Sequence, residues 1–133
     1  MILVESLISK LNKSKIDFFT GVPDSVLKPF SSFIENYKHK NHVIATSEGS
    51  AISIGIGYYL SKKKLPCIYF QNSGLGNALN PLISIANRQI YSIPLLLMIG
   101  WRGSPNISDE PQHIAKGKIT LSLLKLLKIN YSS

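Results

Sequence analysis

The sequence predicts an α/β fold in which a parallel β-sheet is flanked by helices on both faces. Short apolar segments with strand character alternate with helical segments along the chain, and strands that alternate with helices form parallel sheets. The segment 93–101, IPLLLMIGW, is a continuous apolar run, which is typical of a strand buried on both faces. We therefore expect right-handed crossovers between the parallel strands.

Four strands are predicted from short runs of apolar and β-branched residues. In chain order they cover residues 16–22, 42–46, 65–72 and 93–101. Ligands of such sheets bind beyond the carboxyl ends of the strands. The candidate functional edge therefore comprises the segments that follow or end these strands, at residues 20–25, 46–50, 71–77 and 101–113.

Five helices are predicted around these strands from apolar residues at helical spacing and from capping residues. Asp24 or Ser25 supplies an N-cap for the second helix, and Ser47 opens the third. The run Lys62–Lys64 stands where the third helix ends, because the helix dipole favours cations there. The predicted helices cover residues 2–13, about 25–37, 47–60, 74–87 and about 116–127, the last after a polar loop.

Length and composition indicate one domain over residues 1–133, since 133 residues is near the commonest domain size and 44% are hydrophobic. No signal peptide is recognised at the N-terminus, and the apolar stretches 51–60 and 90–101 are too short to span a bilayer. Cys67 is the single cysteine, so no internal disulfide forms. We read it as a buried small hydrophobe and expect a cytoplasmic protein.

The formal net charge of +8, from 15 Lys and Arg against 7 Asp and Glu, raises the question of a nucleic-acid partner. The lysines are scattered through helix ends and turns, and no aromatic residues are interleaved with them as a single-strand platform requires. We therefore expect no nucleic-acid binding. The basic surface is interpreted as solvated, or as complementary to an acidic partner chain.

The residues alone leave the chemistry open. Gly74 and Gly76 begin a glycine pattern, but Leu79 occupies the third position, so no dinucleotide fingerprint is present. The histidines are not at metal-ligand spacing, and we predict no metal held by this chain alone. Glu48 follows a strand and opens a helix, where a glutamate also has the ordinary role of complementing the helix dipole.

A longer pattern resembles a known family. The strings GVPDSVLKPF, ATSEGSAISIGIGYYL, IYFQNSGLGNALNPLISIA and SIPLLLMIGWRGSP, followed by DEPQH, occur in this order between residues 16 and 128. Together they resemble the phosphonopyruvate decarboxylase and sulfopyruvate decarboxylase group of thiamine-diphosphate-dependent enzymes. The strings GWRGSP and DEPQH resemble the phosphonopyruvate branch more than the sulfopyruvate branch.

The resemblance implies that the chain is an N-terminal pyrimidine-binding domain. It implies thiamine diphosphate as a cofactor in a shared site, with the diphosphate and Mg²⁺ held by a second domain or subunit that carries a Gly-Asp-Gly motif. This chain lacks that motif, so we expect a diphosphate-binding partner in a homo- or hetero-oligomer. The implied reaction converts 3-phosphonopyruvate to phosphonoacetaldehyde and CO₂, in phosphonate biosynthesis.

The resemblance also implies roles for individual residues. Glu48 matches the glutamate that hydrogen-bonds N1′ of the cofactor pyrimidine, and Asp24 is a second catalytic candidate as a proton relay or, alternatively, only an N-cap. The candidate cofactor-binding residues besides Glu48 are Gln71, Asn72, Ser73 and Gly74. The candidate substrate-binding residues are Ser25, Asn72, Arg102 and His113, with Trp101 and Gln112 as weaker candidates.

Four alternatives remain open at this stage, and the weakest of them is a basic nucleic-acid-binding protein. The substrate could be sulfopyruvate or another 2-oxo acid, and the chain could be a non-catalytic domain that acts as an assembly module. Arg102 has the alternative of being a solvent-exposed loop residue, although its guanidinium also suits phosphonate oxygens.

Overall fold

The computed structural model describes residues 3–36 and 41–132 of the chain. Its helices are α1 (Val4–Lys13), α2 (Lys28–Asn36), α3 (Glu48–Lys62), α4 (Leu75–Pro81) and α5 (Pro111–Leu126). Its strands are β1 (Phe19–Gly21), β2 (His42–Ile44), β3 (Cys67–Gln71) and β4 (Leu96–Gly100). A 3₁₀ turn, Asn72–Gly74, precedes α4, and a π-helical turn, Leu82–Ala86, follows it.

The four strands form one parallel sheet in the order β2-β1-β3-β4. Successive side chains of β3 point to opposite faces, so Cys67 and Tyr69 pack into one core and Ile68 and Phe70 into the other. The helices α1 and α2 cover the first face, and α3, α4 and α5 supply the buried residues of the second. The predicted fold class, a parallel sheet with helices on both faces, is confirmed.

Cys67 lies in the interior of the sheet, where it is fully buried and unpaired. Burial raises the pKa of its thiol to about 12, because a thiolate is costly away from water. The interpretation of this cysteine as a buried small hydrophobe is therefore confirmed.

The strands are shorter than predicted, and proline is the reason at two of them. Pro66 and Pro94 lack the N–H that a sheet ladder needs. As a result, β3 begins at Cys67 instead of residue 65, and β4 begins at Leu96 instead of residue 93. Ile93 donates its N–H to Ala86 O, outside the sheet. The first strand is confined to three residues, against the seven of the range 16–22.

Helix α2 begins at Lys28 and not directly after Asp24 or Ser25, so the predicted N-cap position was wrong. Asp24 Oδ1 instead accepts hydrogen bonds from the N–H groups of Val26 and Leu27, at 2.7 and 3.1 Å, and so closes the turn before the helix. The predicted end of this helix near Tyr37 and the first residue of the predicted helix 2–13 lie outside the described residues.

The predicted start of α3 is confirmed by its N-cap, and the helix ends two residues beyond the predicted residue 60, within the lysine run. Ser47 Oγ accepts a hydrogen bond from Ser50 N at 3.2 Å, as an N-cap residue does. The helix ends at Lys62, and Lys63 adopts the left-handed conformation with a φ of 54° while its N–H bonds to Tyr59 O. The lysine run therefore stands at the helix C-terminus, as expected.

Two helix predictions needed correction, and a proline explains each. The predicted helix 74–87 is divided, because Pro81 has no N–H to continue the α-helical ladder and a π-helical turn follows it. The last helix starts at Pro111, five residues before residue 116, since proline fits the first helical turn. His113 therefore lies in the first turn of α5 and not in a loop.

None of the helices within the described ranges combines the length and the hydropathy that crossing a membrane would require.

The junction between α5 and the loop after β4 gives a first test. A Cβ atom at Gly117 would overlap the carbonyl group of Gly103, whose own φ is +65°. We expect Gly117→Ala to destabilise the chain by about 1–3 kcal/mol, because the backbone on each side must move apart. A Cβ atom at Gly57, in α3, would meet no neighbouring segment within 4 Å, so Gly57→Ala should be neutral or stabilise by up to about 1 kcal/mol. Urea unfolding of both variants measures the difference, and equal effects would contradict this packing.

Candidate active site at the carboxyl edge of the sheet

Glu48 occupies the first turn of α3 and is half-buried. Its carboxylate lies against Gly74, where a Cβ atom would overlap the glutamate side chain. Asn77 Nδ2 donates a hydrogen bond to Glu48 Oε2 at 2.8 Å. The structure therefore brings together the end of β3, the start of α3 and the start of α4 around one carboxylate.

Gln71 and Ser73 lie on the segment that leaves β3 and leads to Gly74. Gln71 Nε2 donates to Ser73 Oγ at 2.8 Å, and both residues are half-buried. Gly74, between Ser73 and α4, is buried beneath Glu48. The predicted cofactor-binding segment is thus adjacent to the predicted catalytic glutamate.

Asn72 is almost fully buried and belongs to the supporting structure of this edge. Its Nδ2 donates to Arg102 O at 3.0 Å and to Thr120 Oγ1 at 2.9 Å, while its Oδ1 accepts from Arg102 N at 3.1 Å. Both N–H groups of the carboxamide are therefore used within the chain. If Asn72 binds cofactor or substrate, it must do so through Oδ1, which can accept one further hydrogen bond.

Arg102 is held by Asp109 across the loop after β4. Arg102 Nε donates to Asp109 Oδ2 at 2.7 Å, Nη2 donates to Oδ1, and the N–H of Gly103 also reaches Oδ2 at 3.0 Å. The hydrogen bonds from Arg102 hold the pKa of Asp109 well below its usual range, and the same interaction raises the pKa of Arg102. Arg102 is therefore an anchored residue and not a free loop arginine.

The same guanidinium connects this loop to the segment after β1. Arg102 Nη1 donates to Ser25 Oγ at 3.0 Å. Asp24 lies beside the end of β4, since a Cβ at Gly100 would come within 3.1 Å of Asp24 Oδ1. The structure thus brings Asp24, Ser25 and Arg102 into a second polar group at the edge, and Asp109 is the member that the sequence reasoning missed.

Three buried polar side-chain atoms in the segments of this edge have no hydrogen-bond partner among the described residues. These are Thr20 Oγ1, which lies within β1, Asp24 Oδ2 and His113 Nδ1. Buried polar atoms are normally paired, so Asp24 Oδ2 and His113 Nδ1 each have capacity for one further hydrogen bond. The weaker candidates differ: Trp101 Nε1 donates to Gly117 O at 3.2 Å, and Gln112 is exposed.

A large apolar cavity lies elsewhere, between β4, α5 and the turn after α4. It has a volume of about 1240 Å³, and its lining includes Leu82, Leu97, Ile99, Leu121 and Leu124 but neither Glu48 nor Asp24. Within residues 3–36 and 41–132, no three metal-binding side chains lie close enough together to hold an ion. The polar groups around Glu48 and Asp24 therefore lie outside this cavity.

Comparison with known proteins assigns this chain to a family. The sequence profile described as "Thiamine pyrophosphate enzyme, N-terminal TPP binding domain" matches residues 1–122. The chain therefore belongs to the family of N-terminal thiamine-pyrophosphate-binding domains. This finding confirms the resemblance on which the site residues were selected.

Several of the relatives that the chain matches are decarboxylases. The chain is 36% identical over 132 residues to the phosphonopyruvate decarboxylase of Streptomyces viridochromogenes, covering 99% of this chain and 32% of that protein. It is 33% identical over 129 residues to the sulfopyruvate decarboxylase subunit alpha of Methanococcus maripaludis, covering 97% and 75%. The chain thus spans about a third of the length of the phosphonopyruvate decarboxylases that it matches.

Solved structures show the same fold. Benzoylformate decarboxylase from Polynucleobacter necessarius superposes with a TM-score of 0.62 at 25% identity, covering 77% of this chain and 19% of that one. A thiamin diphosphate-dependent enzyme isolated from Mycobacterium smegmatis gives a TM-score of 0.62 at 21% identity, covering 81% and 20%.

The Arg102–Asp109 pair leads to a stability prediction with an internal control. Asp109→Asn removes the ion pair with Arg102 and weakens a carboxylate that also accepts hydrogen bonds from the N–H groups of Gly103 and Glu110. We therefore expect a clear fall in melting temperature. Asp17 forms an exposed pair with Lys64, and exposed pairs contribute little. Asp17→Asn should therefore lower the melting temperature less, as differential scanning fluorimetry can measure. An equal loss in both variants would contradict the anchoring role of Asp109.

The pH dependence of this pair has a defined sign. Because the folded-state pKa of Asp109 is lowered, its contribution is fully present above the unfolded-state aspartate pKa of about 3.9 and is lost as the pH falls through the folded-state value. The melting-temperature difference between the native chain and Asp109→Asn should therefore stay constant from about pH 7 to pH 5 and shrink below about pH 4. A difference that grows on acidification would have the wrong sign for this assignment.

Proposed function

We propose that this chain is the pyrimidine-binding part of a thiamine-diphosphate-dependent decarboxylase that converts 3-phosphonopyruvate to phosphonoacetaldehyde and CO₂. The observation that carries the proposal is the half-buried Glu48 carboxylate beside Gly74, in a chain of the thiamine-pyrophosphate-binding family. The 36% identity of the chain to a phosphonopyruvate decarboxylase supports the choice of substrate. The proposal includes a cytoplasmic role in phosphonate biosynthesis.

The residues around Glu48 fit a ring nitrogen of the cofactor. Glu48 Oε2 accepts a hydrogen bond from Asn77, and Oε1 lies against Gly74, whose missing side chain leaves room for the carboxylate. Glu48 would hold a proton at N1′ of the pyrimidine, and Gln71 and Ser73 would orient the ring from the neighbouring segment. When bound, thiamine diphosphate supplies a nucleophilic carbon and an electron sink for the loss of CO₂.

The second polar group would bind the substrate. A guanidinium has five N–H donors, and three of those on Arg102 are used by Asp109 and Ser25. The remaining donors suit a phosphonate, and the hydroxyl of Ser25, which accepts from Arg102, is free to donate its own proton. Asp24 Oδ2 and His113 Nδ1, which are buried and unpaired among the described residues, would hold or transfer a proton at the reacting end of the substrate.

A partner is part of the proposal. The chain matches 32% of the length of the phosphonopyruvate decarboxylases, and no cluster of metal-binding side chains occurs in the part of the chain that the structure describes. We propose that residues 1–133 form one pyrimidine-binding domain and that a diphosphate-binding domain or subunit supplies Mg²⁺ and the diphosphate site. The edge around Glu48 would face this partner in a homo- or hetero-oligomer.

One observation favours a second substrate. The chain covers 75% of the sulfopyruvate decarboxylase subunit alpha of Methanococcus maripaludis, with 33% identity. Sulfopyruvate is therefore the second candidate substrate. The phosphonate group of 3-phosphonopyruvate carries up to two negative charges, and the sulfonate group of sulfopyruvate carries one. Arg102 could bind either group, so an assay must distinguish the two substrates.

The substrate test uses the chain assembled with its co-purifying diphosphate-binding partner, thiamine diphosphate and Mg²⁺. Release of CO₂ is measured with 3-phosphonopyruvate and with sulfopyruvate under identical conditions. We expect kcat/KM for 3-phosphonopyruvate to be at least about tenfold higher, because a second negative charge strengthens binding to a guanidinium. Turnover of sulfopyruvate alone would overturn the choice of substrate but not the decarboxylase class.

The catalytic role of Glu48 is tested in the same complex. Glu48→Gln keeps the size of the side chain but removes the carboxylate, so we expect kcat to fall by about a hundredfold or more. Glu35→Gln, at an exposed position of α2, is the matched control and should leave kcat unchanged. Full activity of Glu48→Gln, or no activity of the native complex with any 2-oxo acid, would favour a non-catalytic assembly module.

A further inference from the structure

We propose that Asn77 is a positioning residue that holds the Glu48 carboxylate in its working orientation. This inference rests on the proposed function of Glu48 and gives a role to a residue that the sequence placed in the candidate edge segment 71–77 without assigning it one. The contact that carries it is the 2.8 Å hydrogen bond from Asn77 Nδ2 to Glu48 Oε2.

The main chain of Asn77 is docked on the same turn that carries Glu48. A Cβ atom at Gly49 would come within 2.9 Å of Asn77 O, so the absence of a side chain at Gly49 allows α4 to approach the first turn of α3. The amide of Asn77 therefore projects from a backbone that is already in contact with the segment bearing Glu48. Its reach to the carboxylate is determined by this helix contact and not by a flexible loop.

The two oxygens of the Glu48 carboxylate have different contacts. Oε2 accepts from Asn77, while Oε1 lies against Gly74, close to the point where a Cβ atom would stand. A glutamate side chain has several rotatable bonds, and ordering such a side chain costs conformational entropy. A charge-assisted hydrogen bond to one oxygen offsets that cost and restricts the orientation of the whole carboxylate.

A purely structural role is a poor explanation of this contact. Asn77 is exposed, and hydrogen bonds at exposed positions add little to the free energy of unfolding because water replaces them readily. The loss of the Asn77 amide should therefore alter the orientation of Glu48 without weakening the fold.

The first test is made on the full chain without cofactor. With ¹³C-labelled glutamate, the side-chain carboxyl resonance of Glu48 is identified by its loss in Glu48→Gln. We expect this resonance to shift in Asn77→Ala and in Asn77→Asp. Asn80→Ala is the matched control, since Asn80 is exposed on the same helix and accepts from Ser84 Oγ at 2.9 Å. A Glu48 resonance that does not respond to either Asn77 variant would overturn the proposal.

The second test is made on the assembled enzyme with thiamine diphosphate and Mg²⁺ but without a 2-oxo acid. The rate at which the C2 proton of the bound cofactor exchanges with deuterium in the solvent is measured by quenched proton NMR. We expect Asn77→Ala to slow this exchange about tenfold, the effect of losing one hydrogen bond to a charged group. Asn77→Asp should slow it further, because it places a second carboxylate against Glu48.

A double-mutant cycle identifies the route of the effect. If Asn77 acts through Glu48, the variant Glu48→Gln/Asn77→Ala should exchange at the same rate as Glu48→Gln alone. Effects that multiply in full would show an independent action of Asn77 and would overturn the inference. Melting temperatures of the Asn77 and Asn80 variants should agree with that of the native complex.

The outcomes separate this inference from the proposed function. If Glu48→Gln exchanges at the native rate, the proposed role of Glu48 fails, and the role of Asn77 fails with it. If Glu48→Gln is impaired but Asn77→Ala behaves like Asn80→Ala, only the role of Asn77 is overturned. Impaired exchange in both Glu48→Gln and Asn77→Ala, with no further loss in the double variant, is the result that we expect.

Discussion

Buried amides need their hydrogen bonds satisfied, and Asn72 meets this requirement by joining three segments that are distant in sequence. Its carboxamide donates to the carbonyl of Arg102 and to the hydroxyl of Thr120, and it accepts from the N–H of Arg102. The end of β3, the loop after β4 and the middle of α5 are thereby held at fixed positions. The polar groups on either side of Asn72 depend on this arrangement for their relative placement.

Close backbone contacts complete the edge on each side of Asn72. Gly74 leaves room for the Glu48 carboxylate, and Gly49 leaves room for the carbonyl of Asn77. At the other end, Gly117 and Gly103 allow α5 to lie directly against the loop that carries Arg102. The glycine that first invited a nucleotide-binding interpretation, Gly74, thus serves protein packing, and the charged side chains are placed by the backbone beneath them.

The elements were predictable to the extent that their signals are local. The cap at Ser47 and the stop at the lysine run are hydrogen-bond and dipole effects within a few residues, and both were confirmed. The predicted starts of β3 and β4 lay two or three residues too early in the chain. Hydrophobicity alone does not show that Pro66 and Pro94 lack the N–H group that a sheet hydrogen bond needs. His113 was assigned to a loop because the helix-starting signal of Pro111 was overlooked.

The sequence by itself determined the fold class, the family and the set of polar residues at the carboxyl edge, because apolar periodicity, turn residues and long motif strings are written in the order of the chain. Only the tertiary structure decided which of those residues work together. Asn72 is committed to internal hydrogen bonds, Arg102 is anchored by Asp109, and Asn77 reaches Glu48 from another helix. The last pair spans 29 positions of sequence, and such a contact arises from helix packing, which no local pattern encodes.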